Sequence, residues 1–280
     1  MSSDSSGSLV LSKECYEFLR GIVYEHSRIQ LGPDKQTLVS GRLNKRLREL
    51  GLSSYEEYCK LLRSPVGEAE LSPLIDLIST NHTHFFRENQ HLDFLRDQIL
   101  PELTKKLPPH EPIRIWSAAS SSGEEPYTIA IVLSEYFRKH PMRPWMLEGS
   151  DISTRILQHA RNGIYSKDRV KLPDPQMLER YFQNGIGDFS GYYRVKEALR
   201  KAVKFHHLNL LDPSYPVSPN QHVIFCRNVM IYFDQTTQQE LVGKLSKQLA
   251  PGGYLIVGHS ESLLAVKHDL KTVKPTIYRK

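Results

Sequence analysis

The chain has 280 residues, of which 39% are hydrophobic and 24% are charged, enough for one large soluble domain or two modest ones. Mean hydropathy is −0.43, no apolar run approaches the roughly 18 to 20 residues of a membrane span, and residues 1–8 do not resemble a secretory signal. The net charge of +6 is uneven: residues 1–89 carry 11 basic and 12 acidic side chains, or −1, leaving 26 against 19, or +7, for residues 90–280. This modest, local excess argues against a protein that coats nucleic acid and favours partners with acidic surfaces.

The first 80 residues predict helices only. We expect residues 1–11 to be disordered and a helical domain to occupy residues 12–79, with helices over 12–30, 34–50, 55–62 and 67–78. Ser12 and Asp34 are the candidate caps of the first two. Residues 80–106 then predict a linker that ends in a bridging helix over 90–106.

From residue 107 to residue 280 the pattern changes to alternating strands and helices. Strands are predicted over 113–116, 145–149, 203–207, 223–226 and 254–257, and helices over 124–139, 153–161 and 236–249. This order predicts an α/β fold, a doubly wound and mostly parallel sheet with helices on both faces. The segments 270–273 and 276–278 predict a terminal antiparallel hairpin.

The turn after the first strand of such a sheet is where ligands approach the main chain. Here residues 117–123 are small, and Glu124 and Glu125 follow at the start of a helix. There is no G-x-G-x-x-G and no G-K-[ST], so a dinucleotide or a nucleoside triphosphate is poorly provided for. The two acids favour a ligand with a positive centre or free hydroxyls; the alternative is that they only cap the helix.

Two further edges of the predicted sheet carry polar side chains. Asp151 follows the second strand, where a carboxylate can accept hydrogen bonds from both ribose hydroxyls of an adenosine, although a lone Asp there is also a common helix cap. Arg227 and Tyr232 follow the fourth strand without the Asn-Pro-Pro-Tyr run of amino-group methyltransferases, which favours an anionic substrate. Cys226 precedes them as a buried strand residue.

Cysteine and histidine usage argues against two other kinds of site. Cys15, Cys59 and Cys226 are an odd, scattered set, typical of a reducing cytoplasm and not of a disulfide framework. The 12 histidines occur without C-x-x-C or H-E-x-x-H, so we expect no metal site.

Five ordered runs recur together in one known family. They are Thr80-Asn81-x-Thr83-x-Phe85-Phe86-Arg87-Glu88; Trp116-Ser117-Ala118-Ala119 with Gly123-Glu124-Glu125-Pro126-Tyr127; Ser150-Asp151-Ile152; Cys226-Arg227-Asn228-Val229-Met230-Ile231-Tyr232-Phe233-Asp234; and Gly258-His259-Ser260-Glu261. On these runs the chain resembles the bacterial chemotaxis receptor methyltransferases, the CheR family of protein-glutamate O-methyltransferases. The resemblance covers residues 12–278.

The resemblance implies an S-adenosylmethionine-dependent enzyme that forms glutamate methyl esters on the cytoplasmic helices of methyl-accepting chemotaxis receptors. It implies a helical N-terminal domain, no metal, no nucleic acid and no membrane insertion, and a small antiparallel β-subdomain inserted around residues 175–200. The loop over 184–191 resembles that of family members that dock a receptor C-terminal peptide; the alternative is an ordinary hairpin. The residues implied to line the cofactor pocket are Asn81, Thr83, Arg87, Glu124, Asp151, Asn209, Leu210, Arg227 and Asn228.

Catalytic and substrate-binding roles follow from charge and position. A glutamate carboxylate is already ionised at cytoplasmic pH and needs no general base, so we expect Arg87 to orient it and Tyr232 to flank the sulfonium. On the helix over 34–50, Lys35, Arg42 and Arg46 fall within about 40° of one another on the helical wheel, which predicts a substrate-binding face; the alternative is a solvated helix face. The alternatives are a methyltransferase acting on nucleic acid or a small molecule, and a cofactor-dead adaptor that only binds receptors.

Overall fold

A computed structural model describes residues 9–280, so residues 1–8, most of the segment predicted to be disordered, lie outside the described residues. The chain forms two compact units. One runs to Thr80 and includes the segment Tyr232–Asp234; the other comprises Asn81–Ile231 and Gln235–Lys280. The predicted linker and bridging helix over 80–106 are therefore part of the larger unit, except for Thr80.

The smaller unit contains α1 (Lys13–Ser27), α2 (Gln36–Glu49), α3 (Tyr55–Arg63) and α4 (Glu68–Ile78). Ser12 caps α1 as predicted, by accepting a hydrogen bond from the Cys15 N–H, but α1 ends at Ser27 because Arg28 adopts a left-handed conformation. Asp34 does not cap α2; it lies in a short 3-10 turn, Pro33–Lys35, ahead of it. The buried core of the unit comprises Tyr16, Leu19, Val23, Val39, Leu43, Leu47, Tyr55, Tyr58 and Leu74.

The larger unit is built on a seven-stranded sheet in the order β6-β2-β1-β7-β8-β10-β9. The five strands on one side of it, from β6 to β8, are parallel, and β10 and β9 are antiparallel. The predicted mostly parallel sheet and terminal hairpin are thus confirmed. The strands are β1 (Ile113–Ala118), β2 (Trp145–Asp151), β6 (Val203–His207), β7 (Gln221–Cys226), β8 (Leu249–Val257), β9 (Lys271–Lys274) and β10 (Ile277–Arg279).

Helices α7 (Glu124–Lys139), α8 (Thr154–Asn162), α10 (Glu197–Ala202) and α11 (Gln235–Gln248) connect these strands. The predicted helix over 90–106 is interrupted. It consists of α5 (Asn89–Phe94), a π-helical turn (Leu95–Ile99) and α6 (Leu100–Lys106). Pro101 has no N–H with which to continue the α-helical ladder, and the wider turn accommodates this loss just before it.

A second, three-stranded antiparallel sheet is inserted between α8 and β6. It consists of β3 (Ile164–Ser166), β4 (Phe182–Asn184) and β5 (Tyr192–Val195) in the order β3-β5-β4, with α9 (Gln176–Tyr181) between β3 and β4. It begins about ten residues before the predicted 175–200, since β3 is too short to be recognised from its pattern. Tyr165, Phe182 and Val195 bury one face of this sheet in the core of the larger unit.

None of the helices within residues 9–280 is long and apolar enough to cross a membrane.

Candidate active site

The turn after β1 has an unusual backbone that only small residues allow. Ala119, Ser121 and Gly123 all have positive φ, at 61°, 50° and 96°. A Cβ on Gly123 would lie 2.9 Å from the Tyr165 hydroxyl oxygen, so a larger residue there would force this turn and the inserted sheet apart. The buried Ser120 Oγ has no hydrogen-bond partner among the described residues. The turn therefore presents main chain and an unsatisfied hydroxyl at the edge of the sheet.

The Asp151 carboxylate closes one side of this turn. Its Oδ2 accepts a hydrogen bond from the Ser121 N–H at 2.9 Å, and its Oδ1 accepts one from the Ser153 N–H at 3.0 Å. The N-cap of α8 is Ser153, whose Oγ accepts from the Ile156 N–H, so Asp151 is not the cap of that helix. The carboxylate lies where the ends of β1 and β2 meet.

Glu124 and Glu125 are adjacent in sequence but bind different partners. Glu124 is 0% exposed, and its carboxylate accepts from the Ser122 hydroxyl at 2.6 Å and pairs with the Arg169 guanidinium at 2.5 Å. Burial raises the pKa of Glu124. Glu125 accepts from the Ser117 hydroxyl at 2.7 Å and pairs with Arg227 at 2.9 Å. These two residues therefore do more than cap α7.

Residues 81–88 lie along the turn. The Asn81 carbonyl accepts from the Ser121 hydroxyl at 3.1 Å, and the Phe86 N–H donates to the Thr128 hydroxyl of α7 at 3.2 Å. Phe85 is buried against the rings of Tyr165 and Phe182, at centroid distances of 5.0 and 5.4 Å. These contacts place Asn81 and the residues that follow it beside Ser121 and Glu124.

The guanidinium of Arg227 is buried and fully engaged. It pairs with Glu88 at 3.0 Å and with Glu125 at 2.9 Å, and it donates to the Arg87 carbonyl at 2.5 Å. Burial raises the pKa of Glu88, but the charge of Arg227 and the hydrogen bond from Asn228 outweigh it and lower that pKa to about 2. Contrary to the sequence-based expectation, this guanidinium is already paired with two carboxylates and is not available to an anionic substrate.

The next residue, Asn228, is held at a φ of 59°. Its side-chain amide donates to Glu88 at 3.1 Å, and its main-chain N–H donates to the buried Glu261 carboxylate at 2.7 Å. Glu261 also accepts main-chain hydrogen bonds from Gly258, Met230 and Ile231, so it sets the shape of the loop after β7.

Asn209 and Leu210 follow β6 beside Asp151. The Leu208 N–H donates to the Asp151 carbonyl at 3.0 Å, which brings the loop after β6 to the end of β2. The Asn209 side-chain oxygen accepts from the Leu211 N–H at 3.0 Å, and Leu210 is buried. All nine residues predicted to line the cofactor pocket thus belong to the larger unit: Glu124 begins α7, Asp151 ends β2, and the other seven lie on connecting segments.

The remaining predicted site residues belong to the smaller unit. Tyr232 lies in the segment Tyr232–Asp234, and its carbonyl accepts from the Gln30 N–H at 2.8 Å. Lys35 is exposed and pairs with Asp34 at 3.0 Å. Arg42 donates to the carbonyls of Ile78 and Ser79 at the end of α4, and Arg46 pairs with the buried Glu70 at 2.6 Å. The predicted basic face is therefore partly neutralised, because two of its three charges hold α4 in place.

One group of potential metal ligands occurs within the described residues: Glu88, His91 and His259, whose ligand atoms lie within 4.8 Å of one another. The Arg227 guanidinium already pairs with Glu88, and burial and that same charge lower the pKa of His91 to about 4. A metal cation would have to compete with Arg227 for Glu88, so the cluster is poorly suited to hold one.

Comparison with known proteins places the whole chain in one family. Residues 14–79 match the description "CheR methyltransferase, all-alpha domain", and residues 81–279 match "CheR methyltransferase, SAM binding domain". The chain belongs to the CheR methyltransferase family. It is 42% identical to the chemotaxis protein methyltransferase of Borreliella burgdorferi, covering 96% of this chain and 95% of the relative. It is 40% identical to that of Escherichia coli, covering 96% and 92%.

Membership of the CheR family confirms the resemblance, the fold class, and the activity and cofactor that the resemblance implies: the chain is an S-adenosylmethionine-dependent methyltransferase of chemotaxis. The residues after β1 and β2 fit that cofactor. The turn over 117–123 presents its main chain at the edge of the sheet, and Ser120 Oγ there is a buried polar atom without a partner among the described residues. The buried Glu124 carboxylate already pairs with one cation, the Arg169 guanidinium, so its position also suits the positively charged ammonium group of the cofactor.

Sequence reasoning missed several residues of this site. Glu88, Glu125 and Glu261 lie inside the runs that carry the resemblance, but nothing in their spacing predicts that they bind Arg227 and the loop after β7. Arg169 and Tyr165 lie outside those runs, in a segment with no motif, and only the folded structure brings them to Glu124 and Ser122.

Proposed function

We propose that this CheR-family methyltransferase esterifies glutamate side chains of methyl-accepting chemotaxis receptors in the cytoplasm, using the nine residues named above to hold S-adenosylmethionine. One observation carries the site assignment: two carboxylates, Asp151 and Glu124, flank a single small-residue turn and are bridged to it through Ser121 and Ser122. In this arrangement Asp151 accepts hydrogen bonds from the ribose hydroxyls, and Glu124 accepts them from the ammonium group.

The chemistry asks little of the protein beyond alignment. S-adenosylmethionine supplies a methyl group on a sulfonium sulfur, which is an electrophile without further activation. A glutamate carboxylate, with an ordinary pKa near 4.3, is already a nucleophile at neutral pH. Holding oxygen, methyl carbon and sulfur in line contributes about 7 to 11 kcal/mol in well-oriented systems, so no general base is needed.

Arg87 and Tyr232 are proposed as the catalytic residues. The Arg87 guanidinium donates to the His82 carbonyl at 2.9 Å, and none of the ion pairs within residues 9–280 includes it. Its planar guanidinium is therefore able to orient the attacking carboxylate, whereas the Arg227 guanidinium is already paired with two glutamates. Tyr232 follows Asn228 by four positions, and we assign its ring to the flank of the sulfonium.

Substrate recognition is proposed to involve α2 and the turn before it. A receptor helix with several unmethylated glutamates is acidic, and Lys35 is an exposed cation with which it can pair. Arg42 and Arg46 belong to the same proposed surface, with their charges partly met by α4. Lys45 and Arg48 are further exposed cations on α2.

A receptor C-terminal peptide is proposed to dock on the inserted sheet. The β4–β5 hairpin exposes Ile186 (83%), Phe189 (58%) and Tyr192, and β4 is an edge strand. A peptide added to that edge would gain main-chain hydrogen bonds and apolar contacts. The cations near this edge already have partners within the chain. Arg194 donates to the Asn162 carbonyl, Lys196 donates to the Glu179 carbonyl, and Arg180 pairs with Glu135 and Asp174. Acidic side chains of the peptide would therefore share these cations with their present partners.

One assay tests the proposed reaction. The protein is incubated with methyl-labelled S-adenosylmethionine and receptor cytoplasmic fragments, and the labelled receptor is treated with mild base. Release of the label as methanol identifies an ester, and label that resists base identifies a methylated amine and contradicts the proposal. Binding of the fragment without any incorporation identifies an adaptor. A fragment with the methylated glutamates changed to alanine is the control, and titration of receptor tail peptides tests the hairpin separately.

A further inference from the structure

Arg169 places a cation of the chain itself on the proposed ammonium site. Its Nη2 lies 2.5 Å from the Glu124 carboxylate and 3.3 Å from the Thr83 carbonyl. Glu124 and Thr83 are both among the residues assigned to the cofactor. One nitrogen therefore bridges two acceptors that belong to different segments of the site.

The cation answers an electrostatic need. Glu124 is completely buried, and a buried carboxylate without a counter-charge is costly. The groups that face it are the Ser122 hydroxyl, the Arg169 guanidinium, the His84 imidazole and the Tyr165 phenol. Of these, only Arg169 carries a permanent positive charge.

We propose that Arg169 is a stand-in for the ammonium group of S-adenosylmethionine, occupying Glu124 in the free enzyme and leaving it when the cofactor binds. An ammonium nitrogen has three N–H groups, so it can make the same two hydrogen bonds, to Glu124 and to the Thr83 carbonyl. The inference rests on the proposed assignment of Glu124 to the cofactor site.

Arg169 lies on a partly exposed turn, so its side chain can move away from Glu124 while the surrounding residues stay in place. It belongs to a 3-10 turn, Lys167–Arg169, in which no residue is buried, and its side chain is 38% exposed. Four residues earlier, Tyr165 is buried, and its hydroxyl donates to the Ser122 carbonyl at 2.6 Å. The inserted sheet thus stays attached to the cofactor turn through Tyr165, while the turn after β3 is released. Cofactor binding would in this way be signalled to the inserted sheet.

The test compares Arg169→Gln with wild type by calorimetry with S-adenosylhomocysteine at pH 8 and pH 6. Arg161→Gln, which removes an exposed arginine bound to the Phe205 carbonyl, is the matched control. Without the competing cation, Arg169→Gln should bind up to about tenfold more tightly at pH 8. At pH 6 this advantage should shrink, because Glu124 without its counter-charge takes up a proton that binding must expel. The number of protons that Arg169→Gln releases on binding, measured in buffers of different ionisation enthalpy, should exceed the number that wild type releases.

A second measurement uses the wild-type protein alone. Amide hydrogen exchange of residues 167–170 should accelerate when S-adenosylhomocysteine is added, while the rest of the site becomes protected. Weaker or unchanged binding by Arg169→Gln at pH 8 contradicts the stand-in role, as does protection of residues 167–170. Glu124→Gln separates the two proposals. If Glu124→Gln binds S-adenosylhomocysteine as wild type does, the assignment of Glu124 to the cofactor fails. If Glu124→Gln weakens binding and Arg169→Gln does not strengthen it, only the role of Arg169 fails.

Discussion

The Glu261 carboxylate accepts the main-chain N–H of Asn228 at 2.7 Å and so holds Asn228 in the left-handed region of backbone space. Left-handed φ values are unfavourable for residues other than glycine, and a buried acceptor offsets that cost here. The same carboxylate accepts hydrogen bonds from the N–H groups of Met230 and Ile231, which begin a 3-10 turn, so one side chain fixes both Asn228 and the turn that follows it.

Replacing this carboxylate should be severe even by its closest isostere. In wild type, one carboxylate oxygen of Glu261 accepts at least two main-chain N–H groups. In Glu261→Gln an NH2 group, which cannot accept, takes the place of that oxygen, so at least two N–H donors are left unsatisfied. At about 1 to 3 kcal/mol for each buried donor, the free energy of unfolding should fall by about 2 to 6 kcal/mol. Urea denaturation measures this. Glu240→Gln, which breaks an exposed pair with Lys244, is the control and should cost less than about 1 kcal/mol. Equal losses in the two variants would contradict the role of Glu261.

Acid should weaken the protein through Glu88. Its pKa of about 2 in the folded state is lower than in the unfolded chain, so its contribution is complete above about pH 4.5 and is lost as pH falls towards 2. The lowering corresponds to about 3 kcal/mol at neutral pH. Unfolding free energies of wild type and Glu88→Gln should therefore differ most at pH 7, and the difference should be clearly smaller at pH 3.5. A difference that is independent of pH would show that the ion pair with Arg227 does not depress this pKa.

Asp151→Ala should weaken both S-adenosylmethionine and S-adenosylhomocysteine, because both carry the ribose. The expected cost is about 1.5 to 3 kcal/mol for each charged hydrogen bond lost. Calorimetry measures it, and Asp269→Asn, at an exposed position shortly before β9, is the control. Normal binding of both ligands by Asp151→Ala would mean that this carboxylate only fixes the Ser121 and Ser153 amides.

Arg87 is assigned both to the cofactor and to the attacking carboxylate, and one variant separates these roles. If orientation of the substrate dominates, Arg87→Ala should lower kcat by more than about 100-fold while calorimetry shows little change in affinity for S-adenosylhomocysteine. A loss confined to cofactor affinity would assign Arg87 to the cofactor alone. Unchanged turnover would remove it from the site.

Charge reversal on α2 should distinguish recognition from folding. Lys35→Glu should raise the apparent KM for the receptor fragment and flatten its salt dependence without changing cofactor affinity. Arg46→Glu should instead destabilise the protein, because it leaves Glu70 buried beside a like charge. Lys60→Glu, an exposed position on α3, is the control. Receptor kinetics and salt response of Lys35→Glu that match wild type would contradict a substrate-binding role for this residue.

The strands, their order along the chain and the positions of Asp151 and Glu124 could be predicted because periodicity and small-residue turns are local signals. What the sequence did not predict depends on contacts between distant residues. The spacing of Arg42 and Arg46 indicates a shared face, but it contains no information about Glu70 or the end of α4, which bind them. The same holds for Arg227, whose two glutamates lie 139 and 102 positions away, and for Arg169.

The inserted sheet has two parts with different freedom to vary. Tyr165, Phe182 and Val195 are built into the core beneath the cofactor turn, whereas the hairpin tip over 185–191 exposes two large apolar side chains, Ile186 and Phe189. Within the tip two glycines are constrained: a Cβ on Gly185 would lie 1.9 Å from the Phe189 carbonyl oxygen, and Gly187 has a φ of 56°, which strains other residues. Because the tip is separate from the residues assigned to the cofactor, exchanging its exposed residues between relatives should change the proposed docking of receptor tails and leave methyl transfer itself unaltered.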